Sequence, residues 1–389
     1  MNLQNELNKI LSSILGKVEF KNVSSLLLDQ KKPSHKFRNS LRSNIDLIIT
    51  FAENNVTEKK YLNLLLALGE SCSIHGEIDI AKEVFGRIIS KKGNNSLNIR
   101  GYANLQIAII ESNQANWDTT NRSLRNAAKL FNETNDKTGL AECDNILGTL
   151  EAEKGKIKLA KIHFEKAYFN VKHKRKSHLK TKIEVNLGII YNMLENYGEA
   201  EKFFRKSLTT FKNEKEKKRI AEIKHNLGMM YLKNGKYKQA IKEFENSLKI
   251  SEVENFSPIM GITYLGLGET YLLMGNMRKA VSSTDNGFEK SIKINDRLTI
   301  ADIYKVKGVI YKKDKNYKAA ENYLLTSLRI NKEIKNELNI AETNYELGLL
   351  HEKMEKPAVA KKYFKLALKY YNEFNCKKEI EKIKKHLDK

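Results

Sequence analysis

The 389-residue chain has little of what staples, breaks or anchors a polypeptide. Its three cysteines, Cys72, Cys143 and Cys376, are odd in number and far apart, which excludes a disulfide framework and a zinc motif. Each reads as a small side chain in helix packing. There are three prolines, Pro33, Pro258 and Pro357, and no run of eighteen apolar residues, so no membrane span is expected. The opening residues, MNLQNELNKILSSILGK, lack the basic start and unbroken apolar core of a secretory signal. The expectation is a cytoplasmic chain without membrane insertion.

Motifs of catalysis are missing as well. No G-x-x-x-x-G-K-S/T loop occurs, because Gly155-Lys156 and Gly235-Lys236 have no glycine five positions earlier. Gly266 and Gly268 lack the third glycine and the preceding strand of a dinucleotide fingerprint. His351-Glu352 opens like a zincin motif, but no second histidine follows. The remaining histidines, at 35, 75, 163, 173, 178, 225 and 386, show no metal-ligand spacing. Neither an enzyme nor a cofactor or metal is expected.

Positive charge is abundant, with a formal net charge of +23. It is uneven: residues 60–155 carry 11 basic and 12 acidic side chains, whereas residues 156–224 carry 19 against 8. Residues 353–389 carry 12 against 5. Lysine greatly outnumbers arginine and asparagine is common, a composition that raises lysine on any solvated face. Within the basic stretch, Lys172, Lys174, Arg175 and Lys176 form a run flanked by His173 and His178, with no aromatic residue interleaved. Such a run could grip phosphates, although single-strand binding calls for stacking platforms as well. A solvated connector is the simpler reading.

What the chain does have is a repeat. Small residues recur at Gly69, Ala108, Gly148, Gly188, Gly228, Gly268, Gly308 and Gly348, first 39 and then 40 residues apart. Twelve residues after each stands Ala81, Thr120, Ala160, Ala200, Ala240, Ala280, Ala320 or Ala360. Sixteen after it Phe85, Phe164, Phe204, Phe244 and Phe364 recur, with Leu or Thr elsewhere, and three after it Tyr191, Tyr231, Tyr271 and Tyr311. Each unit reads as two helices. In the fifth, Ile220, Ile223, Leu227 and Tyr231 have helical spacing up to Asn234-Gly235, and a second series runs from Tyr237 to Leu248. Glycine suits the left-handed closure of the first helix. The small residues allow two antiparallel helices to cross closely, and Tyr and Phe are expected to fill the space between one pair and the next. Stability then comes from stacking neighbours.

The pattern LG-x-x-Y-x-x-x-G-x-Y-x-x-A-x-x-x-F resembles the tetratricopeptide repeat over residues 59–375. It departs from it in having 40 residues rather than the family's shorter unit, and in lacking the family's early Trp and late Pro. The one tryptophan, Trp117, stands where other units have Tyr237 or Tyr317. Units of this length resemble those of kinesin light chains, polarity adaptors and bacterial peptide-sensing regulators. The resemblance implies an all-α, right-handed superhelical solenoid of about eight hairpins, with the first helix of each pair lining a concave groove. Residues 1–58 read as a helical extension. There Leu3, Leu7, Ile10, Leu11, Ile14, Leu15 and Val18 form one stripe of a helix over residues 1–20, and Pro33-Ser34 starts a second helix with Leu41, Ile45, Ile48 and Ala52 inward. Residues 376–389 read as a capping helix.

Groove positions follow from the register, at six, three and two residues before the anchor and one and four after it. They give Lys182, Asn186 and Asn192 in the fourth unit and Glu222, His225, Asn226 and Met229 in the fifth. Glu269 follows in the sixth and Lys305 in the seventh. Asn186 and Asn226 resemble groove asparagines that hold a bound peptide's backbone in several tetratricopeptide families, and a side-chain amide has the donor and acceptor to do so. The sequence therefore predicts a non-enzymatic adaptor that binds a protein or peptide segment in its groove. Two alternatives stay open: a basic nucleic-acid-associated scaffold using residues 156–224, and a peptide-sensing regulator acting through its N-terminal helices.

Overall fold

A computed structural model describes residues 3–29, 37–114, 116–174, 177–374 and 376–388 of the chain. Pro33, Ser34, Asn375 and the side chains of Leu3 and Leu41 lie outside what is described. Every regular element among the described residues is helical. The chain divides into two compact units, residues 1–183 and residues 184–389.

The first unit opens with α1 (Leu3–Ile14), α2 (Lys17–Asp29) and α3 (Phe37–Asn55). Three hairpins follow: α4 (Glu58–Ile74) with α5 (Ile78–Ser90), α6 (Leu97–Asn113) with α7 (Trp117–Glu133), and α8 (Lys137–Glu153) with α9 (Ile157–Val171). The division between units falls within α10 (His178–Met193). The second unit continues with α11 (Tyr197–Asn213), then α12 (Lys217–Lys233) and α13 (Tyr237–Val253), and α14 (Ser257–Leu273) and α15 (Met277–Lys293). It ends with α16 (Arg297–Lys313) and α17 (Tyr317–Glu333), α18 (Glu337–Lys353) and α19 (Pro357–Glu373), and the last helix α20 (Lys377–Leu387).

The N-terminal stripe is split. The expected single helix over residues 1–20 ends at Ile14, and Val18 is 72% exposed rather than part of the stripe. Gly16 interrupts the helix, and its N–H donates to the Glu19 carboxylate, which starts α2 afresh. Leu7, Leu11 and Leu15 remain buried, and α1 packs against α4. Ile45, Ile48 and Ala52 of α3 are buried in the same core.

The helices α12 to α19 have 17 residues each, about 25 Å of helix, and three-residue turns join them. Two helices and two turns fill the 40-residue period. The turn after α12 shows how each helix stops: the Gly235 N–H donates to the Leu232 carbonyl at 3.1 Å and the Lys236 N–H to the Tyr231 carbonyl at 2.8 Å. This double closure needs a left-handed residue in the middle. Gly235 supplies it at φ 71°, but Glu195, Lys315 and Glu355 hold the same place at φ 59°, 61° and 55°.

The anchor glycines have a more specific cause than close helix crossing. At five of them the aromatic ring sixteen residues later lies directly against the glycine. A Cβ on Gly228 would come within 2.5 Å of Phe244, one on Gly188 within 2.6 Å of Phe204, and one on Gly348 within 2.5 Å of Phe364. Gly69 meets Phe85 and Gly148 meets Phe164 in the same way. Phe is expected to fill the space between one pair and the next; each of these rings also seats in its own hairpin. Phe244 then reaches on to Gly266 of α14, where a Cβ would be 2.6 Å away. Where the ring is replaced by Leu324 or Thr284, the anchors Gly308 and Gly268 still face that side chain. All five rings are essentially fully buried, each contributing about 2–3 kcal/mol of apolar burial.

This geometry decides between two opposing effects. Replacing glycine by alanine inside a helix ordinarily stabilises by about 1 kcal/mol. At Gly228 the new methyl would collide with a ring held from behind by Gly266, a cost of about 2–3 kcal/mol, at the upper end of overpacking. Gly228→Ala is therefore expected to lower stability by about 1–2 kcal/mol in a urea titration. A variant as stable as the parent would contradict the packing described.

Candidate functional site

Successive first helices of the second unit touch one another, α12 with α14, α14 with α16 and α16 with α18. Their outward positions therefore form one continuous face. On that face lies a cavity of about 550 Å³, with Met229 and Leu232 from α12, Glu269 and Leu272 from α14, Lys305, Val306 and Val309 from α16, and Glu342, Tyr345 and Glu346 from α18. Lys233, Tyr237 and Tyr371 also contribute to its lining.

Of the residues expected in the groove, the structure gathers Met229, Glu269 and Lys305 around this cavity. Asn226 is half-buried one turn before Met229, and Asn186 is half-buried on α10. Glu222 is half-buried and accepts from the Arg219 guanidinium at 2.9 Å. His225 is not open to a groove: it is 8% exposed, 3.0 Å from Thr263 Oγ1 on α14 and tilted against Phe244. Its place three residues before the anchor falls in the seam between adjacent first helices. Burial pulls its pKa down to about 4, so the ring is neutral there at pH 7. Asn192, four after its anchor, is buried with its Oδ1 unpartnered.

Lys182, expected in the groove, lies in the first unit; it is exposed, and its charge acts on the Glu142 carboxyl, which burial raises above the usual carboxylate range. The basic-run candidates belong to the same unit. Lys172 stands over the ring of Phe169 at 4.3 Å, and Phe169 is 67% exposed. An exposed aromatic thus stands three residues upstream of the basic run, though none is interleaved with it. Lys174 donates to the Thr138 hydroxyl. Arg175 and Lys176 lie outside the described residues.

The cavity's charges are mostly matched to each other. Lys305 Nζ pairs with Glu342 and stands 3.3 Å from Asp302 Oδ1. Burial acts to lower the Lys305 pKa, but these two carboxylates outweigh it and hold the ammonium above the usual lysine range. Asp302 is raised by burial against the pull of Lys305, and it accepts from the Asn339 amide at 2.9 Å. Lys312 pairs with Glu346 at 2.5 Å. Glu269 is different. No hydrogen bond or ion pair reaches it among the described residues, and burial pushes its carboxyl up to about 7. The Lys305 charge works against that rise, while Asp302 and Glu342 add to it and Lys233 weakly opposes it.

Glu342, Tyr345 and Glu346 of the eighth unit are not among the groove residues expected from the sequence. The signal was available, since these residues stand six, three and two before Gly348, at the positions already assigned to the groove.

Comparison with known proteins agrees with the fold. Residues 219–283 and 299–373 match one tetratricopeptide-repeat model and residues 185–213 another. These matches place tetratricopeptide repeats in the C-terminal half of the chain. No curated protein matches the chain. Among solved structures, the apo form of the quorum sensor NprR from B. thuringiensis is similar at 16% identity, with a TM-score of 0.62 over 83% of this chain and 91% of that one. Aspartyl phosphate phosphatase F from Bacillus subtilis is similar at 14% identity and a TM-score of 0.60, over 94% of this chain and 93% of its own. The Rap conjugation gene regulator of a plasmid, in complex with a Phr peptide, is similar at 18% identity and a TM-score of 0.56, over 99% and 97%. At such identities the likeness is one of fold.

Glu269 gives the site a pH signature. Below its ordinary pKa of 4.5 the carboxyl is protonated in both the folded and unfolded chain. Between 4.5 and about 7 only the folded chain keeps the proton, so the stability this group contributes is lost as pH rises through that window. Glu269→Gln, neutral at every pH, is expected to melt like the parent below pH 4.5. Above about pH 8 it should be more stable by about 2 kcal/mol, the shift being discounted for partial solvent screening. Parallel stability curves for parent and variant across the range would contradict the assignment.

Proposed function

We propose that this chain is a binding protein whose second unit takes a protein or peptide segment along the face formed by its first helices. The observation that carries this reading is the cavity between α12, α14, α16 and α18, with apolar walls and a few polar groups converging on it. Pockets of this size and mixed lining are the usual form of a binding site. An extended segment also needs partners for its backbone. Asn226, half-buried one turn from the cavity, supplies a donor and an acceptor. The residues lining the cavity are carboxylates, lysines, aliphatics and tyrosines, which suits recognition more than a covalent reaction.

Peptides selected on the full chain from a displayed random library provide the test. Replacing Asn186 and Asn226 together by alanine is expected to weaken such peptides about ten-fold by calorimetry, with the melting temperature unchanged. Unaltered affinity would count against the groove.

A second reading, a regulator that senses a peptide, has one observation in its favour: α1 packs on α4, so the N-terminal helices are physically joined to the first hairpin. The fold neighbours include a protein called a quorum sensor and a gene regulator solved with a peptide. This reading expects a selected peptide to change hydrogen exchange in residues 3–29 and 37–55. Exchange confined to the second unit would leave the simpler adaptor.

A further inference from the structure

The cavity is more selective than a generic groove. Its wall is aliphatic, with Leu272, Val306 and Val309 side by side. Each lysine that reaches this charge network is already answered, Lys305 by Asp302 and Glu342, and Lys312 by Glu346. An anion entering would find those ammonium groups occupied. Among the described residues, the other lining lysine, Lys233, has no such pair, and it is exposed to solvent at the end of α12. Glu269, in contrast, lines the cavity with no cation bonded to it among the described residues. A carboxylate so placed is costly until a cation joins it.

We infer that the cavity receives the cationic side chain of a bound segment, a lysine ammonium or an arginine guanidinium held by Glu269, with its aliphatic stem against Leu272, Val306 and Val309. This shape of occupant satisfies both halves of the lining at once, since long basic side chains carry an apolar stem and a charged tip. The occupant is thus fixed by charge complementarity: it brings the one positive charge that the cavity lacks. The inference rests on the binding reading above and specifies what the bound segment must contain.

The test uses the full-length chain and two matched arrays of short fluorescent peptides, one with lysine scanned through every position and one with norleucine in its place. Binding is read by fluorescence polarisation against the parent and Glu269→Gln. The expected result is a set of binders with lysine at one fixed position. Glu269→Gln should weaken them about 30-fold or more, and should cost the norleucine counterparts little. Binders that prefer norleucine, or lysine binders indifferent to Glu269→Gln, would overturn the inference while leaving the groove reading in place. If no peptide of either array binds the parent, both fall. The substitution keeps the side-chain shape, and a thermal melt of the variant confirms folding alongside the binding data.

Discussion

The contact on which this structure depends is a ring laid against bare backbone. In five of the eight hairpins a buried phenylalanine sits on a glycine sixteen residues earlier, at a distance that leaves no space for a methyl group. The glycine sets how closely the two helices approach, and the ring sets their rotation. Phe244, held between Gly228 and Gly266, carries the same constraint into the next hairpin. Once one pair is fixed, the next follows at the same spacing, which is how a repeat array builds a core that no single pair could bury.

That regularity also places the site. Because the register repeats every 40 residues, side chains at equal offsets from successive anchors fall beside one another across the first helices. The cavity is built from these offsets: Met229 and Leu232, Glu269 and Leu272, Lys305, Val306 and Val309, Glu342, Tyr345 and Glu346. Four helices thereby bring several ionisable groups into one small space. Most of them neutralise each other. Glu269 does not, and the same burial that raises its pKa makes it receptive to an added cation.

Much of the fold was legible in the sequence because the repeat is a steric pattern. The anchors, their rings and the helical spacing reported eight hairpins directly. The break at Gly16 was less visible, because the apolar stripe of Leu7, Leu11 and Leu15 runs through it without a change of period. Left-handed turns at Glu195, Lys315 and Glu355 were hidden too, since the neighbouring helices impose a conformation these residues do not favour. In the site, the offsets found which positions face outward but not how deeply each is covered. His225 sits in a seam and Met229 on a cavity wall, although both belong to the same helix face. Pairing was not legible at all. Whether Lys305 is free or matched depends on Glu342, a full repeat away, and only the stacked helices bring the two together.

The most direct measurement is a double-mutant cycle joining Gly228→Ala and Phe244→Leu, with unfolding free energies from urea titrations. If the ring and the bare backbone act as one contact, shortening the side chain relieves the methyl clash. The two substitutions should then be coupled by about 1 kcal/mol or more, the double variant being more stable than the sum of the single losses predicts. Additivity within about 0.5 kcal/mol would mean that the glycine and the ring stabilise the hairpin separately. The anchor would then not be what sets the register of the groove.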